Sequence, residues 1–206
     1  MTAEELLDLA PVIPVVVLDD AEAAVPLARA LVEGGLPVIE VTLRTPSALA
    51  AITRIAAEVP DAVVGAGTIA RPEDAEKSAA AGAGFLVSPG CTDRLQAAMA
   101  ATGLPFLPGA ATASEAIALL EGGITAMKFF PAEASGGTAW LKAIAGPLPQ
   151  IRFCPTGGVG RGNAADYLAL DNVACVGGSW LTPADAVRDG DWDRIRGLAA
   201  EAAALK

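Results

Sequence analysis

The chain of 206 residues contains no histidine. That removes Ser-His-Asp and Cys-His triads, His-ligated zinc and histidine acid–base catalysis, so proton transfer falls to carboxylates, lysine, tyrosine, cysteine or water. Tyrosine is nearly missing too, with Tyr167 alone, which leaves Glu or Asp as the natural proton carrier. Aromatic residues make up 4% of a chain that is 53% hydrophobic, so the core is aliphatic. Cys91, Cys154 and Cys175 are far apart and form no CxxC pair, which fits reduced, buried thiols. No apolar run reaches the length of a bilayer span. Met1-Thr2-Ala3-Glu4-Glu5 has neither the basic start nor the apolar stretch of a signal peptide. The expectation is a soluble, cytoplasmic protein without a membrane role. Positive charge is short as well: the formal net charge of −10 argues against nonspecific nucleic-acid binding, which needs a basic face. A small anionic ligand remains possible, because a few focused cations and backbone amides suffice to hold one. Asp19-Asp20, Glu4-Glu5 and Asp189-Gly190-Asp191 read as solvated charge or helix-start acids, and no carboxylate cluster suits a divalent metal.

What is present is a repeat. Short apolar runs at 12–18, 37–42, 62–66, 84–88, 104–108, 124–129, 151–155 and 173–177 read as strands. Ala-rich amphipathic stretches at about 21–34, 46–58, 72–81, 92–101, 113–121, 138–145, 161–170 and 191–204 read as helices. Thr45-Pro46 and Arg71-Pro72 place proline at a first helical position, and Thr112-Ala-Ser-Glu115 reads as a capping box. A short helix near 3–9 is expected to close the bottom. Eight β/α units in a chain of this length predict one (β/α)8 TIM barrel spanning 1–206. An open doubly wound sheet is the alternative, although it would usually show fewer units and a single glycine fingerprint.

Lysine is rare, and one of the four, Lys128, sits in the apolar run Ile124-Thr-Ala-Met-Lys-Phe-Phe-Pro131. Burial penalises the ammonium and favours the amine, the nucleophile that Schiff-base chemistry on a carbonyl needs. Lys77, Lys142 and Lys206 lie in polar or helix-like surroundings. Alternation on the sixth strand puts Ala126, Lys128 and Phe130 on one face, with Met127 and Phe129 on the other. A buried stem with a snorkelling head is the competing reading. On the second strand Glu40, Thr42 and Arg44 share a face. Near Lys128, Glu40 could shuttle protons while Arg44 grips a carboxylate; the competing reading is a buried Glu40–Arg44 ion pair. Gly65-Ala-Gly-Thr68 and Ser88-Pro-Gly90 end two strands, where glycine lets backbone approach a ligand or simply turns. Thr156-Gly157-Gly158 and Gly177-Gly178-Ser179 follow the seventh and eighth strands, where barrels frequently hold phosphate on bare amides. Two coincidental turns are the alternative.

Taken together, Ile39-Glu-Val-Thr-Leu-Arg-Thr45, Val64-Gly-Ala-Gly-Thr68, Ser88-Pro-Gly90, Lys128-Phe-Phe-Pro-Ala-Glu133, Phe153-Cys-Pro-Thr-Gly-Gly158 and Gly177-Gly-Ser-Trp-Leu181 resemble the 2-keto-3-deoxy-6-phosphogluconate (KDPG)/4-hydroxy-2-oxoglutarate aldolase family over nearly the whole chain. The resemblance implies a Schiff-base aldolase that yields pyruvate and D-glyceraldehyde 3-phosphate, with Lys128 forming the imine and Glu40 shuttling protons. Arg44, Thr68 and Thr156 would hold the pyruvoyl carboxylate and neighbouring oxygens. Pro89 and Phe130 would wall the pyruvate pocket, and Gly157, Gly158, Gly178 and Ser179 would take the phosphate. It further implies a homotrimer, no metal or organic cofactor, and a place in sugar-acid breakdown by the Entner–Doudoroff route. Some relatives carry a basic residue near the end of the first strand, where this chain has Val15-Val-Val-Leu18; Arg44 is then the main carboxylate cation. The 6-phosphogalactonate epimer and 4-hydroxy-2-oxoglutarate are alternative substrates. Phosphosugar isomerases and epimerases on the same fold, and a phosphate-binding trimer without catalysis, are the rival classes.

Overall fold

A computed structural model describes residues 1–205; Lys206 lies outside them. The elements in chain order are α1 (Ala3–Leu7), β1 (Val12–Val16), α2 (Ala24–Glu33), β2 (Val38–Thr42), α3 (Ala48–Glu58), β3 (Val63–Gly67), α4 (Pro72–Ala80), β4 (Leu86–Val87), α5 (Asp93–Ala101), β5 (Phe106–Leu107), β6 (Gly109–Ala110), α6 (Ala113–Glu121), β7 (Ala126–Phe129), α7 (Gly137–Ala145), β8 (Arg152–Pro155), α8 (Ala164–Leu168), β9 (Val176–Gly178), α9 (Ala184–Asp189) and α10 (Trp192–Ala203), with 3-10 turns at Ala21–Ala23 and Glu133–Ser135. All strand pairings are parallel, so this is an α/β fold. A curled six-stranded sheet runs β5-β4-β3-β2-β1-β9, and a second sheet runs β6-β7-β8.

Among the described residues nine strands stand where eight were expected, and proline is the reason. The run anticipated at 104–108 breaks at Pro108: Phe106–Leu107 pairs with β4, while Gly109–Ala110 pairs with β7. Proline brings no N–H to a ladder, but its carbonyl still accepts from Lys128 N at 2.9 Å. Between β8 and β9 only isolated bridges form, Phe153 to Val173 and Thr156 to Gly177.

Strand alternation sorts the core into two layers. Val12, Ile39, Val41, Val64, Leu86, Met127 and Phe129 face the surrounding helices. Ile13, Val38, Phe85, Val87, Leu107, Ala126 and Cys154 face inward, where Leu6 and Leu7 of α1 join them, fully buried. The leading helix therefore plugs one end, and ties from Glu4 to Thr125 and from Asp8 to Arg152 (2.6 Å) hold it there. On the outer layer Phe129 stacks on Trp140 of α7 with ring centroids 4.5 Å apart, and Phe153 meets both edge-on.

Helix starts follow local chemistry. Pro72 occupies the first position of α4, and Glu115 N donates to Thr112 Oγ1 while Thr112 N donates to Glu115 Oε2 at 2.9 Å, the expected capping box. Pro46 does not start a helix: α3 begins at Ala48, because the Thr45 and Ser47 hydroxyls both donate to the Leu18 carbonyl and hold this stretch as a turn. Helix α9 was not anticipated. Six residues between Pro183 and Gly190 are too few to show a period, although that proline-before, glycine-after frame is itself a helix signal.

Candidate active site

Lys128 sits in β7 between Gly109 of β6 and Cys154 of β8, which are its register partners. Its side chain points inward and is 5% exposed, so it does not snorkel to solvent. Its Nζ lies 3.2 Å from Glu40 Oε1 and 3.5 Å from Oε2. Glu40 reaches it from β2, 3% exposed, and the two form a buried ion pair. The pairing anticipated as an alternative, Glu40 with Arg44, is not formed; Arg44 Nε instead donates to Thr68 Oγ1 at 3.4 Å. The Lys128 amine thus meets a carboxylate inside the inner layer of the core. The pair can release a free amine by passing one proton across a hydrogen bond that already exists.

Room for this pair comes from missing side chains. A Cβ on Gly67 would lie 2.1 Å from Glu40 Oε1, and one on Gly65 would lie 2.4 Å from the Phe85 ring. These two glycines therefore open space within the protein, where the sequence suggested approach to a ligand. Thr68 follows in the left-handed region, φ 63°, uncommon for a β-branched residue. Thr42 is fully buried, its hydroxyl donating to the Val16 carbonyl at 2.9 Å. Arg44 stays exposed just past β2.

Phe130, half-buried, places its ring centroid 5.4 Å from Lys128 Nζ. Pro89 comes close through Gly109, whose absent Cβ would meet the Pro89 carbonyl at 2.3 Å, while Gly109 N donates to Ser88 Oγ at 3.3 Å. Gly109 is thus a site-building position that the sequence did not reveal; a glycine directly after a proline inside a strand pattern was the available signal. Thr156 is buried, and Gly157 lies against the Phe130 ring, where a Cβ would approach it to 3.2 Å. Gly157 and Gly158 have φ of 96° and 80°, which glycine alone adopts at no steric cost.

The Thr156–Gly177 bridge sets the loop after β8 beside the end of β9. Gly177 yields its space to the Thr156 hydroxyl and Gly178 yields its own to the Trp180 ring. Ser179 is exposed and lines a cavity of about 820 Å³ between the end of β1 and α9, with Val15, Val17, Asp19, Arg188 and Trp192 among its walls. Neither Lys128 nor Glu40 lines that cavity. Cys91, near Pro89, is no rival nucleophile: burial, with Asp93 assisting, pushes its thiol up to about 11 and keeps it protonated at neutral pH. Among the described residues no cluster of Cys, Asp and Glu could hold a metal ion, and no helix is long and apolar enough to cross a membrane.

An amine and a carboxylate in buried contact, with the Phe130 ring 5.4 Å from the amine, are equipped for imine chemistry on a carbonyl. The family model for KDPG and KHG aldolase matches residues 3–198. The chain belongs to that aldolase family. The 2-dehydro-3-deoxy-phosphogluconate aldolase of Dickeya dadantii (strain 3937) is 54% identical over 98% of this chain and 95% of its own. Among solved structures, the KDPG aldolase from Legionella pneumophila with pyruvate captured at low pH as a covalent carbinolamine intermediate superposes with a TM-score of 0.97, at 44% identity and 99% coverage of both chains. The 2-keto-3-deoxy-6-phosphogluconate aldolase of Zymomonas mobilis ZM4 with 3-phosphoglycerate gives 0.93 at 46% identity, covering 99% of this chain and 96% of that one. This aldolase thus shares its fold over its whole length with a relative that bonds pyruvate covalently.

Proposed function

We propose that this aldolase cleaves 2-dehydro-3-deoxy-6-phosphogluconate to pyruvate and D-glyceraldehyde 3-phosphate through a Schiff base on Lys128. The contact that carries the reading is Lys128 Nζ at 3.2 Å from Glu40 in a buried inner layer. The amine adds to the C2 ketone and water departs, leaving a protonated imine that withdraws electrons from the C3–C4 bond. As that bond breaks, Glu40, directly or through a water, takes the C4 hydroxyl proton. D-Glyceraldehyde 3-phosphate leaves, and the enamine that remains is protonated at C3. Hydrolysis then frees pyruvate and restores the amine.

Arg44, Thr68 and Thr156 hold the carboxylate and adjacent oxygens in this scheme. Pro89 and Phe130 exclude water around the imine, and the amides of Gly157, Gly158, Gly178 and Ser179 receive the phosphate. That a Zymomonas relative was solved with 3-phosphoglycerate supports a phosphorylated substrate. No metal or organic cofactor enters any step.

The proposal extends to architecture and assembly. Residues 1–206 are read as one (β/α)8 barrel domain, with β5 and β6 as a single strand interrupted at Pro108 and the β8–β9 bridges as its closing seam; both features support it. The active form is a homotrimer acting in the cytoplasm on the Entner–Doudoroff route, as the family resemblance implies, and light scattering should return three times the mass of one chain.

Incubation with pyruvate and sodium borohydride, followed by peptide mass spectrometry, tests the mechanism. A reduced pyruvyl adduct on Lys128 alone is expected, and an adduct elsewhere, or none with pyruvate bound, would overturn it. Turnover of KDPG compared with its 6-phosphogalactonate epimer and 4-hydroxy-2-oxoglutarate should favour KDPG.

A further inference from the structure

Tyr167, the one tyrosine of the chain, lies in α8 at 1% exposure and takes no part in the chemistry at Lys128. Its hydroxyl donates to Glu133 Oε1. The same oxygen accepts from Asn163 Nδ2 at 3.3 Å, and that nitrogen also donates to the Gly158 carbonyl at 3.1 Å. Asn163 Oδ1 in turn accepts from Gly160 N at 2.8 Å. Main chain completes the grip: Ala132 N donates to the Thr156 carbonyl at 2.8 Å, and Glu133 N to the Gly157 carbonyl at 3.0 Å. Three consecutive loop carbonyls, from Thr156, Gly157 and Gly158, are therefore held by the segment at 132–133 and by Asn163.

The consequence follows from peptide geometry. In a planar trans peptide the N–H points opposite to the C=O. Carbonyls of Thr156 and Gly157 tied towards Glu133 turn the N–H groups of Gly157 and Gly158 to the opposite side. Contact is close enough to need glycine, since a Cβ on Gly158 would lie 2.5 Å from Glu133 Cγ. Burial, with the Glu133 carboxylate assisting, pushes the Tyr167 phenol up, so the hydroxyl keeps its proton and remains a donor at neutral pH.

We propose that Glu133, anchored by Tyr167 and Asn163, is a positioning residue that fixes the Thr156–Gly158 loop with its amides set to receive the substrate's phosphate. The network then governs affinity for the phosphorylated end of the substrate and leaves imine formation at Lys128 untouched. This rests on reading that loop as the phosphate site.

Steady-state kinetics with KDPG and with its unphosphorylated analogue, 2-dehydro-3-deoxygluconate, tests it in wild type, Glu133→Ala, Glu133→Gln and Tyr167→Phe. Loss of hydrogen bonds to a charged group, two in Glu133→Ala and one in Tyr167→Phe, should raise KM for KDPG roughly fivefold to tenfold. Their kcat, and borohydride trapping of pyruvate, should stay within about twofold of wild type. Glu133→Gln keeps an acceptor oxygen and should restore a near-wild-type KM. An unchanged KM in both disruptive variants, with wild type still preferring the phosphorylated compound, would overturn the positioning role and spare the phosphate site. A wild type that handles both compounds with equal KM would remove the phosphate site itself. A parallel fall in kcat and in pyruvate trapping would place the network in the imine machinery and overturn the proposal.

Discussion

Lys128 and Glu40 are one unit, and substitutions should be read that way. Lys128→Ala removes more than the nucleophile, since it strands Glu40, 3.2 Å away, in a dry interior. Breaking a buried pair by removing one partner costs about 3 kcal/mol or more. Lys128→Ala should therefore abolish turnover and lower the urea midpoint together, and a variant as stable as wild type would show that Glu40 finds another partner. Glu40→Gln should still trap pyruvate while kcat falls about a hundredfold or more, the scale of general acid–base loss; a wild-type rate would remove Glu40 as the shuttle. Gly67→Ala offers a test that leaves both groups in place, because its methyl would intrude 2.1 Å from Glu40 Oε1. Overpacking of this kind costs about 1–3 kcal/mol, and a displaced Glu40 should lower kcat more than it raises KM.

At the scale of elements, α6 carries a cap whose pH dependence can be signed. Backbone N–H groups, that of Ala111 first, and the Thr112 hydroxyl hold the Glu115 carboxyl below its ordinary range. A carboxylate lowered in the folded state stabilises above its unfolded pKa, about 4.3, and loses that contribution as pH falls through the lowered value. Thr112→Ala should cost about 1 kcal/mol at pH 7, and its deficit in urea midpoint should shrink near pH 3; an undiminished deficit would mean that the threonine acts without Glu115. This cap was legible beforehand because Thr and Glu three apart before an apolar run satisfy each other locally. So was the layer assignment of β7, since period-two alternation needs no tertiary information. What escaped was set by contacts distant in sequence. Pro46 looked like a helix start until Leu18, from another unit, drew the hydroxyls on either side of it into a turn. Proximity of Arg44 to Glu40 suggested a competing ion pair, which gives way to the expected contact with Lys128, 88 residues away. Glu133, Asn163 and Tyr167 are ordinary residues separately, and only their convergence on one carboxylate oxygen sets them apart.

Across the molecule, backbone pairing is unevenly spread, and local stability should follow it. β2 and β3 align over five consecutive residue pairs, whereas β3 meets β4 at one pair and β8 meets β9 only at isolated bridges. The longest ladder runs through Glu40 in β2; the seam made of isolated bridges joins Thr156 to Gly177, although β9 keeps three pairs with β1 on its other side. Segments with few protected backbone bonds open at lower free energy than the global transition. Hydrogen exchange should therefore reach peptides covering 173–179 well before those covering 38–42 and 63–67. Addition of inorganic phosphate should slow the first group selectively, because a ligand bound only to the closed loop stabilises it by mass action. Uniform exchange across both groups would mean that the β8–β9 seam is as well made as the β2–β3 ladder. Slowing by phosphate confined to 38–42 would shift the anion site to the Arg44 side of the mouth. The expected pattern gives the two sides of the mouth different mechanical characters: a rigid wall that keeps Glu40 against Lys128, and a looser one along the β8–β9 seam.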